Sequence, residues 1–194
     1  IDLASGITLT AVNNVTANLF GVISGAGSYT KAGIGSMLLR GANTYTGATT
    51  LNGGALAVLG FLSDTTVVDV VSGRYIAYNN DTIGGLQGAG DVALGRNKTL
   101  TVDSDVSQTF SGVISEAGSL VKSGSGTLTL SGANTYTGGT NVSAGTLKVT
   151  GSLPDTTLSV SSGATYDVDA TDEIGSISGA GDIDIASGVT LTAG

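Results

Sequence analysis

At 194 residues the chain is long enough to bury a real core, and its 32 Gly against one Pro, with no Gly at every third position, exclude collagen. The absence of Cys, His and Trp removes disulfides, thiolate metal sites and imidazole chemistry together. A formal charge of −8 excludes the basic footprint that nucleic acid or an anionic membrane surface would need, and no apolar run is long enough to span a bilayer.

In chain order, the opening "IDLASGITLTA" is neither an initiator Met nor a basic, hydrophobic leader, so the chain reads as a processed piece. From there short runs of Thr, Ser, Val, Leu and Ile alternate with Gly-containing turns, which predicts strands and almost no helix. In "SMLL" the core face is Met37 and Leu39, and Leu38 breaks the rule by standing on the outer face. "GANTYTG" follows at Gly41, and the next strand points Leu56 and Val58 inward. "GGLQGAGDV", from Gly84, resembles a calcium-roll nonapeptide only superficially, since its spacing is wrong and it does not recur every nine residues. Further on, "GTLTLSG" at Gly126 and "GTLKVTG" at Gly145 put Leu128, Leu130, Leu147 and Val149 on the core face, with Thr127, Thr129, Thr146 and Lys148 opposite. "YDVDATDE" and "GVTLTAG", at Gly188, close the chain, and its last part gathers Asp155, Asp167, Asp169, Asp172, Glu173, Asp182 and Asp184.

Shifted by 91 residues, the stretch from Gly21 to Gly60 falls on Gly112 to Gly151 with 23 of 40 positions identical. Twice that shift carries "IDLASGITLTA" onto "IDIASGVTLTA" at Ile183. The chain therefore divides into a first copy, 1–91, a second, 92–182, and the start of a third, 183–194, all within one segment of a longer array. Near-identical units added in line favour a solenoid over a closed sandwich or barrel, and about four coils of 20–25 residues fill one period. "GANTYTG" recurs with that period, at Gly41 and Gly132, which marks it as a corner. Gly would supply positive φ there, Asn43 and Asn134 would cap the turn, Thr46 and Thr137 would bond locally to backbone, and Tyr45 and Tyr136 would pack over neighbouring coils.

"GSGTLTLSGANTYTGGTNVSAGTLKV", from Gly124 to Val149, closely resembles the passenger-associated strand repeat of bacterial autotransporters, and residues 33–58 resemble it with more drift. The resemblance implies an all-β, right-handed parallel β-helix (β-solenoid), here with about eight to nine coils. It also implies export across the outer membrane of a Gram-negative bacterium, display at the cell surface, and no catalytic residue.

Four chemistries compete with a structural role. A triad hydrolase lacks its His. A polysaccharide-acting enzyme on a β-helix needs clustered carboxylates, for which Asp167 and Asp169 share a face but find no Lys or Arg nearby in sequence. Calcium is a better use of the oxygens of Asp167, Asp169, Asp172 and Glu173, and no other metal or cofactor is indicated. A glycan-binding module would use Tyr45, Tyr136, Asn43 and Asn134. The leading expectation is a structural and adhesive surface protein without enzymatic activity. Its partners are adjacent repeats or end-to-end copies, together with surface glycans, matrix or sister cells; it involves no nucleic acid and no membrane insertion of this segment.

Overall fold

A computed structural model describes all 194 residues, and every regular element in it is a strand. The longest ladder joins ten strands in sequence order, from Thr8–Val12 to Asp182–Ile185, and every named strand pairing in the molecule is parallel. Partner residues along this ladder lie 17 residues apart at the tightest, Thr165 against Asp182, and 22 at the widest, Gly88 against Phe110. The protein is thus a parallel β-solenoid of about ten turns, spaced about 19 residues apart. This corrects the expected eight to nine coils with a 91-residue period. At ~4.8 Å per turn the stack is roughly 45 Å long.

Each turn has three sides. The first face carries the ten-strand ladder. The second runs from Ala17–Leu19 through Ser36–Leu39 to Asp91–Leu94 and Ile114–Ser115. The third becomes a continuous six-stranded sheet from Asp81–Ile83 to Ser176–Gly179. In two turns the strand bends through a corner without interruption, at Thr49–Val58 and Val67–Ala77, so one strand lines two faces.

The 91-residue shift is not a whole number of turns. Ser28–Ala32 belongs to the first face, whereas its counterpart Ser119–Ser123 lies on the third. Ser36–Leu39 stands on the second face and its counterpart Thr127–Leu130 on the first. One copy supplies fourteen sides to a three-sided coil, four and two-thirds turns, and the second copy is therefore rotated against the first by a third of a revolution.

Alternation places the core as the sequence predicts. Leu39, Leu56, Val58, Leu128, Leu130, Leu147 and Val149 are buried in one cluster of 35 residues, with Met37 packed at its margin. Leu38 is half-buried on the outer face, between Asn18 and Ala57 of adjacent turns. The inward side chains stack in register from turn to turn, so each apolar residue is covered above and below by its counterparts, and this burial is the main stabilising term.

Candidate functional site

The two "GANTYTG" segments are corners, and their polar side chains point inward. Asn43 accepts the Ile23 amide at 3.0 Å and donates to the carbonyls of Gly41 and Phe61, both at 3.0 Å, so one side chain ties three successive turns. Asn134 repeats this with Ile114, Gly132 and Ser152 at 3.0, 3.1 and 2.9 Å. Tyr45 and Tyr136 are fully buried, each hydroxyl 2.5 Å from the Thr four residues on, Thr49 or Thr140. Burial pushes both phenols well above their ordinary range. The expectation of a glycan contact at Tyr45, Tyr136, Asn43 and Asn134 is corrected here: all four face the core and their hydrogen bonds are internal. Thr46 and Thr137 are exposed, and it is their backbone amides that bond the turn below, at Gly25 and Glu116.

Gly47 and Gly138 are not in the left-handed region, contrary to the expectation. They are glycines because turns pass too closely: a Cβ on either would stand 2.4 Å from the carbonyl oxygen of Gly27 or Gly118 in the adjacent turn.

Two further buried groups recur with the copies, and sequence reasoning passed over both. Lys31 and Lys122 lie on inward positions of their strands and are completely buried. Lys31 Nζ donates to the carbonyls of Ala32, Gly33 and Gly53 at 2.7–3.2 Å, and Lys122 Nζ to those of Ser123, Gly124 and Ala144 at 2.5–3.4 Å. Each ammonium thus bridges corner carbonyls of two adjacent turns, and desolvation lowers both pKa values. Asp81 and Asp172 occupy later corners and accept the backbone amides of Leu62 and Leu153. Burial raises the Asp81 carboxyl to about 7, opposed by the hydrogen bonds from Leu62 and Thr82, and Asp64 and Tyr75 also bear on it. Asp172 is raised for the same first reason, with the Tyr166 hydroxyl beside it at 3.5 Å.

The acidic candidates separate in space. Asp167 and Asp169 do share a face, but strand pairing sets Lys148 opposite Asp167, and its ammonium contacts both carboxylates at 2.9 and 2.5 Å. A basic residue that is 19 positions away in sequence is a neighbour in the next turn, which corrects the expectation that none is near. Asp172 is turned into the core, whereas Glu173 alternates outward and is exposed. The four oxygen-bearing residues therefore do not converge, and no group of three or more acidic side chains in the structure could hold a metal ion. The calcium expectation at these residues is corrected on that geometry.

The outer surface carries what the repeat pattern obscured. An open groove of about 370 Å³ crosses three turns of the second face, walled by Ile76, Tyr78 and Leu94 and flanked by Arg74, Arg96 and Glu116. Arg74 Nη2 donates to Glu116 at 2.6 Å. Glu116 holds φ +78°, where its counterpart in the first copy is Gly25 at +96°.

The model of the passenger-associated-transport-repeat family matches residues 30–58 and 120–149, which span the inward Lys, the Asn–Tyr corner and the following strand in each copy. The chain is also similar to "Adhesin BmaC autotransporter" of Brucella suis biovar 1 (strain 1330), at 34% identity over 166 residues. That alignment covers 79% of this chain and 5% of the much longer relative. No solved structure matches the chain. With two family matches falling on two equivalent sets of corner contacts, the chain carries two autotransporter passenger-associated-transport repeats.

Proposed function

We propose that this chain is a rigid segment of a cell-surface adhesive passenger, exported across the outer membrane and acting as stalk or fibre rather than as an enzyme. The observation that supports the reading best is the unbroken parallel ladder of ten strands. Every turn is added by the same backbone bonds and inward contacts, so length is gained without a new fold, and length is what a stalk needs. Adjacent repeats or end-to-end copies, which would continue the same parallel ladder, are the partners that this stacking suits. The relative's printed name, an adhesin, points the same way.

Beads coated with the purified chain test this directly. Retention on matrix-coated and cell-coated surfaces, or clumping of the beads themselves, is expected above that of beads carrying an unrelated β-solenoid. Equal retention and equal dispersion would reject the adhesive part of the reading.

A further inference from the structure

Nine aromatic residues are present, and six of them, Tyr29, Tyr45, Tyr75, Phe110, Tyr136 and Tyr166, are buried. The other three, Phe20, Phe61 and Tyr78, are exposed by 74%, 49% and 49%. They are not scattered. Backbone bonds from Arg40 to Leu19, Leu59 to Leu39, Tyr78 to Val58 and Gly95 to Ala77 stack the corner between the second and third faces in register. Along that corner successive turns present Phe20, Arg40, Phe61, Tyr78 and Arg96, with Phe61 two residues and Arg96 one residue beyond the registered positions Leu59 and Gly95, towards the third face. The Arg40 guanidinium lies over the Phe20 ring, 5.3 Å from its centre. At the far end the stripe enters the groove that Tyr78 and Arg96 share with Arg74 and Glu116.

The second copy supplies a built-in control. One 91-residue shift along the chain, the five equivalent positions are Ser111, Ser131, Ser152 and Asp169 in the second copy and Ser187 at the start of the third. The solenoid folds with small polar residues there, so stacking does not require the aromatic and arginine side chains. Exposed rings and guanidinium groups aligned on one edge, absent from an otherwise equivalent unit, have the composition of a recognition surface.

We propose that this stripe and its terminal groove bind a carboxylate-bearing polysaccharide laid along the solenoid axis. Ring faces offer flat apolar contact to sugar rings, and the guanidinium of Arg96, which has no salt bridge, matches a carboxylate in two-point geometry. Arg74 is held in place by Glu116, whose left-handed backbone conformation is strained for a residue with a Cβ. A narrow convex corner suits a slender chain. It is too narrow for the roughly 800 Å² per partner of a stable protein interface, and it presents no free strand edge for an added peptide strand.

This proposal deepens the adhesin reading and rests on it only for its biological setting; the purified chain tests it without cells. Titration calorimetry with an oligogalacturonate should show binding, with a neutral oligosaccharide of the same length bound more weakly. The double substitution Tyr78→Asp and Arg96→Ser installs the residues found one 91-residue shift along the chain and should lower the oligogalacturonate affinity by about tenfold or more, with an unchanged melting temperature. Phe20→Ser, at the other end of the stripe, should weaken longer oligomers more than short ones. No binding by the unmodified chain, or binding indifferent to the double substitution, would overturn the proposal. So would equal competition by single-stranded DNA of the same charge, which would reduce the site to general anion attraction. Self-association that the double substitution abolishes, without any sugar binding, would reassign the stripe to a second copy of the chain. Failure of coated beads to adhere would count against the adhesin reading alone.

Discussion

The two copies agree inside and disagree outside. Lys31 and Lys122, Asn43 and Asn134, Tyr45 and Tyr136, and Asp81 and Asp172 make the same kinds of contacts one copy apart. On the outer corner the same comparison sets Phe20 against Ser111 and Tyr78 against Asp169. Turn-to-turn stacking tolerates little change in inward groups, because each one touches its counterparts above and below. The outward positions are released from that constraint, and there the copies have diverged in charge and hydrophobicity. Departures from the repeat, more than the repeat itself, indicate where a solenoid of this kind meets other molecules.

The strongest test of the internal equivalence is to empty the buried ring sites. Tyr136→Ala should destabilise the second copy by about 3–5 kcal/mol, and Tyr45→Ala the first by a similar amount. Urea unfolding followed by hydrogen exchange in each copy would read both, and a large difference between the two would break the equivalence. Next in size, Asn134→Ala strands the buried Ile114 amide and removes one of the hydrogen bonds accepted by the Gly132 and Ser152 carbonyls, and it should lower stability by about 1–3 kcal/mol, as should Asn43→Ala.

A smaller effect separates the copies by pH. Burial lifts Asp81 from an unfolded value of 3.8 to about 7 in the folded state. The unfolded chain therefore gives up this proton more readily than the folded one, and the associated stability is present below pH 4 and lost as the pH rises through about 7. Melting measured between pH 5 and 8 should fall with pH, and Asp81→Asn should flatten that fall and stabilise the chain at pH 8. Asn43, already an amide at an equivalent corner, shows that the site accepts this group. Asp172 has no second carboxylate among the groups that raise it, so Asp172→Asn should change the profile less than Asp81→Asn; an equal change would erase the distinction.

The smallest effect belongs to the half-exposed cluster at Lys148. Asp169→Asn removes one of its two carboxylate contacts and should leave the melting temperature within measurement error, since exposed ion pairs are screened and mobile. A clear loss of stability there would show that this outer cluster matters as the inner contacts do.

The strand pattern, the inward residues and the corners could be read in the sequence, because period-two alternation and Gly-containing turns are local signals. The turn count could not. Identity repeats every 91 residues, yet each turn takes between 17 and 22, and only the three-sided cross-section shows that these lengths do not divide evenly. For the same reason Lys148 was missed as the partner of Asp167: the register that joins them is a property of stacking. Tyr45 and Tyr136 could be read as packing groups or as glycan contacts, because a corner resembles an exposed turn in sequence, although here the chain folds over its own side chains. The aromatic stripe was hidden because its members are about 20 residues apart and share no local motif. Its only sequence signal is the mismatch between copies, Phe, Arg, Phe, Tyr and Arg against Ser, Ser, Ser, Asp and Ser.

Fourteen sides wound on a triangular section behave as a vernier. A mark carried once per copy advances to a new heading with each copy and comes back into phase only at the fourth, some fourteen turns, roughly 67 Å, beyond its last appearance on that side. In an array of such copies, contacts written once in the repeat would face three ways around the rod in slow rotation, and the rod would have no blind side towards whatever it brushes against.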